Sequence, residues 1–464
     1  MCKPASSCHA VGCSAESTLG RVLVANLRPD LTALRESRDL RRVVLGNVVS
    51  NLGTQATLVA LPYQLYIETR SPLLVGLLGA VELVPLITAS LIGGAIADRM
   101  DRRRLLLFDQ IGLVLTAGAL AAAAFIGHPP VGLLYVLAAV LAAFAALENV
   151  ARSAIIPNLV DPSRLRSALA LNYGLTQVTM VVGPGLGGVL IGAFGLPWAY
   201  TTDALSCFAM VYGAWAIGPQ RPILGQVHQP VLHSIAEGLR FVRSNQALLG
   251  SFAIDLVAMT FGMPRALFAV LSVSVYHAGA TGTGVLYASV SVGASVAALT
   301  TGWLTHARRL GLIVIWAVVA WGSAIALAGL AGSLWVAAVL LALAGAADSV
   351  SAVCRTTINQ TVTPDTMRGR MSAVYMLVVT SGPRLGDIES GSVAGAGGAR
   401  FSVVSGGLAC LLGTAGDRGG FPRSQALWAR SGAQRHGSTR SPIRTGDRHA
   451  RDVGRRDSTS LVRR

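Results

Sequence analysis

The stretch GGAIADRMDRRRLL, residues 93–106, interrupts one long apolar run just before another begins. Its six charged residues are Asp98, Arg99, Asp101, Arg102, Arg103 and Arg104. The chain as a whole is poor in charge, since 13% of its 464 residues are charged and 52% are hydrophobic. A soluble protein carries about 25% charged residues. A short charged bend between apolar segments is typical of a loop that joins two membrane-spanning helices.

Apolar windows of about 20 residues, the length that a membrane span needs, recur along the chain. We predict spans at 43–67, 73–97, 105–126, 131–152, 167–192, 196–217, 247–275, 281–304, 310–331, 333–354 and 370–396. A twelfth begins at Phe401 but stays apolar only to about Gly413. The sequence therefore predicts an all-α polytopic membrane protein whose twelfth helix is truncated.

A longer polar stretch, 218–245, separates two sets of six spans. We expect an N-terminal six-helix bundle over 31–217, a cytoplasmic linker over 218–245 and a C-terminal helix bundle over 246–413. Residues 1–30 and the Arg-rich tail 414–464 are expected to be disordered, because they show no hydrophobic period. The tail is either the product of a frameshift or a natural basic segment that contacts anionic lipid.

Arginine is concentrated in every second hinge between spans. The hinges after spans two, four, eight and ten carry it, whereas 127–131, 193–197 and 331–333 contain neither Arg nor Lys. Positively charged short loops stay on the cytoplasmic side. We therefore expect an inner (plasma) membrane protein with a cytoplasmic N-terminus. The net charge of +16 follows these hinges and the tail rather than one face, so no nucleic-acid partner is expected.

The two halves of the chain resemble each other. LVGLLGAVELVPLITASLIGGAIADRMDRRR in span two parallels GTGVLYASVSVGASVAALTTGWLTHARR in span eight, and Gly183-Pro184 parallels Gly382-Pro383. The offset stays close to 200 residues. Because an even number of crossings separates the paired spans, these are parallel repeats about an axis along the membrane normal.

GGAIADRMDRRRLL resembles the signature between spans two and three of the major facilitator superfamily. The matching residues are Gly94, Ala97, Asp98, Arg99, Arg102 and Arg103, while Asp101 replaces the usual glycine. GVLYASVSVGASVAALTTGWL (284–304), TPDTMRGRMSAVY (363–375) and HSIAEGLRFV resemble the enterobactin exporter branch, which also contains macrolide and multidrug efflux proteins. The resemblance implies the major facilitator fold and a secondary transporter, not an enzyme, that exports a siderophore or drug-like compound. A non-transporting or decayed protein with this fold is the alternative, suggested by the short span twelve.

In the family, the acid of this hinge interacts with a neighbouring helix end and with the hinge arginines. By that resemblance, Asp98, Arg99 and Arg102, next to Gly94, form a latch that holds the cytoplasmic side closed when the cavity faces out. Attraction of an acid to a helix terminus is worth about 0.3–1 kcal/mol. A latch of that size biases two states without trapping either.

A charge within a span costs about 2.5–3.5 kcal/mol, so each one requires an explanation. The resemblance places spans one, four, seven and ten around the central cavity, where Glu148, Arg152, Asp255 and Asp348 would face it. We expect proton antiport, with Asp255 as the first candidate carrier because no arginine lies one turn away on its helix. Glu148 and Asp348 follow. Glu148 and Arg152, one turn apart, suit an internal ion pair, and a static pair is the alternative reading.

Asn47, Asn51 and Gln55 recur at helical spacing on span one. Polar residues on one face of a membrane helix bond either substrate or neighbouring helices, and both interpretations stay open.

The motif GPGLGG (183–188) resembles the span-five motif of antiporters in this superfamily, with Gly183, Pro184, Gly187 and Gly188 as its helix-packing residues. Glycines permit close helix approach and Pro184 introduces a kink. Close packing alone is the alternative.

No cofactor or metal site is expected. Cys2, Cys8, His9 and Cys13 cluster near the start, but their spacing matches no common zinc pattern. The expected partners are the small-molecule substrate, protons and the lipid bilayer, and the chain is expected to act as a monomer.

Overall fold

Long α-helices occupy the predicted spans in the computed structural model, which describes residues 32–97, 99–220, 231–307 and 309–416. The helices are α1 (Arg38–Thr69), α2 (Pro72–Ala97), α3 (Arg102–Ile126), α4 (Val131–Ile155), α5 (Leu165–Phe194), α6 (Leu196–Trp215), α7a (Gln246–Phe261), α7b (Leu267–Ser274), α8 (Gly279–Thr300), α9 (Leu310–Leu330), α10 (Leu334–Val362), α11 (Arg368–Gly397) and α12 (Ala399–Gly416). A short helix, Thr32–Glu36, precedes α1, and a linker helix, Val231–Ser244, precedes α7a. No strand occurs within these ranges, so the all-α prediction is confirmed.

Eight of the described helices are long and apolar enough to cross a membrane: α1–α5, with α4 extended to Asn158, and α8–α10. Large apolar side chains face outward on them, such as Leu115, Leu299 and Trp335, which are 67%, 76% and 69% exposed. Such a surface would aggregate in water but matches the hydrocarbon of a bilayer.

Two predicted spans differ from expectation. Span seven is not one helix over 247–275, because the chain leaves the helical conformation between Phe261 and Leu267. The truncated span twelve continues to Gly416 and has 18 residues. At 1.5 Å per residue it is about 27 Å long, slightly shorter than the ~30 Å hydrocarbon core. The predicted disordered segments 1–30 and 414–464 lie outside the described residues, apart from 414–416.

Single glycines make the sharpest turns between helices. Gly195 joins α5 to α6 with φ of 92°, and Gly398 joins α11 to α12 with φ of 86°. Side-chain-bearing residues rarely adopt this left-handed region, so glycine is required at both turns. The two glycines are 203 residues apart, as the repeat predicts.

The first six helices and the last six each pack around their own partners. In the first bundle α1 packs on α5 and α6, α3 on α4 and α6, and α2 on α4; in the second, α10 packs on α8 and α9, α9 on α12, and α7a on α11. The bundles meet through two equivalent pairs, α2 with α11 and α5 with α8. This is the predicted two-bundle major facilitator fold.

Glycine pairs bring the bundles into backbone contact at one end. A Cβ added at Gly188 would lie 2.8 Å from the Cα of Gly284, and one at Gly76 would lie 2.6 Å from the Cα of Gly391. All four glycines lie at helix ends remote from the arginine-bearing hinges. Near those hinges, a Cβ at Gly94 or at Gly174 would meet nothing within 4 Å.

Candidate functional site

The break in span seven, residues 262–266, exposes backbone groups inside the C-terminal bundle. Three side chains from other helices satisfy them. Trp321 donates to the Gly262 carbonyl at 3.0 Å, Tyr287 donates to the Arg265 carbonyl at 3.1 Å, and the Ala266 N–H donates to Asp387 at 3.0 Å. Non-helical backbone at membrane depth is tolerated where protein surrounds it in this way. The break thus ends α7a at Phe261, about two turns after Asp255.

Two of the predicted proton-coupling residues share one arginine. Arg355 on α10 lies 2.9 Å from Oδ1 of Asp255 on α7a and 3.6 Å from Oδ1 of Asp348. Asp255 and Arg355 are almost entirely buried, while the Asp348 side chain is 23% exposed. One guanidinium therefore faces two carboxyls in the interior of the C-terminal bundle.

Arg355 was not among the sequence candidates. Asp255 has no arginine on its own helix, as stated, but α10 supplies one across the bundle. The internal repeat could have identified Arg355, because Arg355 follows the candidate Arg152 by 203 residues, close to the repeat offset. The two arginines thus occupy equivalent positions in the two bundles.

Arg152 joins the N-terminal candidates into one polar network. Its guanidinium hydrogen-bonds Asn47, and it lies 3.9 Å from Glu148 on the same helix, as the spacing predicts. Asn51 donates to Asn47 at 3.2 Å, and Asn47 donates to Asn172 on α5 at 3.4 Å. Asn47 and Asn51 therefore bond neighbouring protein groups around a charged centre between α1, α4 and α5.

Gln55 and the GPGLGG residues form a separate contact. A Cβ at Gly183 would lie 2.5 Å from the Cβ of Gln55, and one at Gly187 would lie 2.7 Å from the Cα of Ala56. Pro184 is buried within α5. A Cβ added at Gly284 of α8 would lie 2.5 Å from the Pro184 carbonyl oxygen. Together with Gly188, this face of α5 allows close packing on α1 and α8 at once.

A buried acid on α3 was also missed. Asp109 and its neighbour Gln110 are both 0% exposed, and Asp109 lies near enough to Glu148 to interact electrostatically. Asp109 lies within the apolar run of the predicted span 105–126, and it was not among the residues selected from the sequence.

An ion pair crosses between the bundles. Arg384 on α11 lies 2.8 Å from Glu82 on α2 and 3.7 Å from Asp387. The pair lies on the same helices that meet at Gly76 and Gly391, so it adds charge pairing to the close contact between the bundles.

The hinge after α2 holds the ends of two other helices. Arg102 donates to the Ala154 carbonyl at 2.7 Å and to Asn158 at 3.0 Å, near the end of α4. Arg103 donates to the Ala214 and Trp215 carbonyls at the end of α6.

Within the predicted latch, Arg99 is exposed and Gly94 is partly exposed, while Asp98 lies outside the described residues. Asp101, which replaces the family glycine, caps α3 by accepting from the Arg103 N–H at 2.9 Å. Among the described residues, no group of His, Cys, Asp and Glu could hold a metal ion. The cysteine cluster at residues 2–13 falls outside them.

The paired six-helix bundles and their buried charged centres define a membrane transporter of the major facilitator fold. Residues 31–425 match the transmembrane secretion effector family, and the chain belongs to this family of the major facilitator superfamily. The resemblance inferred from the hinge motif is confirmed.

Curated relatives of the chain include enterobactin exporters. The chain is 29% identical over 399 residues to enterobactin exporter EntS of Citrobacter koseri, covering 82% of this chain and 93% of the relative. It is 29% identical over 393 residues to EntS of Salmonella typhi, covering 82% and 94%.

Solved structures show the same fold. A bacterial homologue of the human lysosomal transporter Spinster, in an inward-facing, unoccupied conformation, aligns with a TM-score of 0.66 at 15% identity over 85% of this chain and 97% of that one. An inward-facing bacterial homologue of the iron transporter ferroportin aligns with a TM-score of 0.60 at 18% identity over 84% and 98%. Family and fold make this chain a multi-pass membrane transporter that exports small molecules rather than an enzyme.

Proposed function

We propose that the chain exports a siderophore or drug-like compound from the cytoplasm in exchange for protons. It acts as a monomer in the lipid bilayer of the inner membrane, with its N-terminus in the cytoplasm. The enterobactin exporters among its relatives support a siderophore as cargo. The arginine-bearing hinges support the orientation.

The observation that carries proton coupling is the sharing of Arg355 by Asp255 and Asp348. One guanidinium compensates the charge of one carboxylate. The acid that is not paired with Arg355 can therefore bind or release a proton while the arginine keeps a counter-charge. A movement of α7a against α10 changes which carboxyl the arginine faces. Asp255, the closer and more buried of the two, is the carrier in this proposal, and Glu148 with Arg152 is the matching centre of the other bundle.

The cycle follows from rocking of the bundles about this centre. In the present state the glycine pairs close the end remote from the hinges, which is the periplasmic end in the proposed orientation. Substrate enters from the cytoplasm and meets Asn51 and Arg152, which are partly exposed. In the opposite state the latch of Gly94, Asp98, Arg99 and Arg102 closes the cytoplasmic end.

Inverted membrane vesicles that contain the full chain test this function, with enterobactin and ethidium as probes. Acidification of the vesicle interior should drive accumulation of at least one probe, and a protonophore should abolish it. Asp255→Asn should bind the probe but lose the pH-driven accumulation, because an amide cannot exchange a proton.

The surface variant Asp39→Asn serves as the matched control, since Asp39 pairs with Arg42 on an exposed helix end. It should transport like the natural chain. Accumulation that ignores the proton gradient, or unchanged coupling in Asp255→Asn, would refute the assigned mechanism.

A further inference from the structure

Asp109 and Gln110 form a fully buried polar pair on α3, and the centre proposed above does not use them. Both side chains are 0% exposed. Their one mutual contact is long, with the Gln110 Nε2 atom donating to Asp109 Oδ2 at 3.5 Å. Asp109 Oδ1 and Gln110 Oε1 have no hydrogen-bond partner among the described residues. Both of these atoms are acceptors, so what the pair lacks is a donor hydrogen.

The groups around Asp109 supply no cation. The helices packed most closely on α3 are α4 and α6; α2 also touches it, and the charged residue of α2, Glu82, pairs with Arg384. On α4, Glu148 faces Asp109 and has Arg152 at 3.9 Å. On α6, Asp203 is satisfied by Thr57 and Thr54 at 2.6 and 3.1 Å, and Cys207 is a buried thiol. Within the described part of the chain, no arginine, lysine or histidine nitrogen lies within 4.0 Å of the Asp109 carboxyl.

A carboxylate that is buried without a counter-charge is very costly, whereas a neutral carboxylic acid that is hydrogen-bonded costs far less. One hydrogen on Asp109 removes the charge and provides the donor that the pair lacks. Gln110 also lies near Glu148, so its amide is close to both acids. Glu148 in turn is 14% exposed, next to the polar network of Arg152.

We propose that Asp109 is an inner proton-binding site of the transport cycle, reached through Glu148 and coupled to it by Gln110. This proposal rests on the proton antiport proposed above. A proton from solvent binds Glu148. The O–H bond on Glu148 then breaks as one forms on Asp109, and no other bond changes. Glu148, left as the carboxylate, pairs with Arg152. Asp109 thereby holds the proton while the Glu148 carboxylate is paired with Arg152.

Infrared spectroscopy of the full chain in lipid vesicles tests the protonation directly. The carbonyl stretching band of a protonated carboxyl should be present near neutral pH, and one such component should disappear in Asp109→Asn. The amide preserves the shape of the neutral acid, so the variant should fold. An unchanged carboxyl band in Asp109→Asn would overturn the proposal, whatever the transport result.

Transport assays then separate a proton site from a structural residue. Asp109→Asn should lose pH-driven accumulation to the level of protein-free vesicles but keep exchange of labelled for unlabelled probe, which needs no net proton movement. Asp109→Glu should restore part of the coupling. Asp39→Asn, the exposed control used above, should leave coupling intact.

Wild-type-like coupling in Asp109→Asn would overturn the role in transport. Transport by the natural chain without a proton gradient would also overturn this role. That result would refute the proposed antiport itself, and the infrared assignment of a protonated Asp109 would still hold.

Discussion

Arg355 is the residue on which the C-terminal charged centre depends. Its replacement in Arg355→Gln leaves Asp255 and Asp348 in the interior without a counter-charge. Breaking a buried pair by removing one partner costs about 3–5 kcal/mol, so the free energy of unfolding should fall by that order. Denaturant unfolding of the purified chain, followed by tryptophan fluorescence, measures the loss.

The double variant Asp255→Asn with Arg355→Gln should recover part of this loss, because it also removes one carboxyl. Arg164→Gln is the surface control. The Arg164 guanidinium pairs at 3.1 Å with the exposed Glu36, at the end of the short helix that precedes α1. Exposed pairs are worth about 0–1 kcal/mol. Equal destabilisation by Arg355→Gln and Arg164→Gln would show that Arg355 does not compensate the buried acids.

At the scale of the helix, we expect the contact of α5 with α8 to limit how far the bundles can close. Gly188→Val places a side chain where a Cβ would already lie 2.8 Å from both the Ala280 carbonyl oxygen and the Gly284 Cα. The contact must open, so the population should shift toward the state that is closed at the hinge end. Spin labels on Arg104→Cys and Arg309→Cys, one on a hinge of each bundle, should move closer together.

Gly174→Val provides the control on the same helix, since a Cβ there meets nothing within 4 Å. It should leave the label distance of the natural chain unchanged. If Gly188→Val also leaves it unchanged, the glycine contact does not control the opening of the bundles.

At the scale of the whole molecule, the arginine hinges predict which ends face the cytoplasm. A thiol reagent that cannot cross the membrane should label His128→Cys in intact cells, because this loop side chain is 95% exposed and lies on the arginine-free side. It should label Arg104→Cys only after the membrane is opened. Both variants are made in a chain whose Cys2, Cys8 and Cys13 are replaced by serine; Cys207, Cys354 and Cys410 are buried and should react little. The reverse labelling pattern would invert the proposed orientation and turn export into import.

Much of the architecture could be predicted because it depends on local properties of the chain. The length of each apolar run predicts a helix that crosses the bilayer, and the repeat offset predicts equivalent turns such as Gly195 and Gly398. The break in span seven was missed, although Gly262 and Pro264 mark it, because the apolar run continues through it. Its backbone is stable only because Trp321 and Asp387 reach it from other helices.

A helical membrane protein of two related halves can be predicted from the amino-acid sequence, since hydrophobic length and repeat spacing are properties along the chain. The sequence also identifies Asp255, Asp348, Glu148 and Arg152 as candidate functional residues, because a charge within a membrane span is costly. Which charges meet is set by the folded arrangement of the helices. Asp255 pairs with Arg355, one hundred residues further along the chain, and Asp109 faces Glu148 from another helix. Such pairings depend on the rotation and packing of each helix, which no local pattern encodes.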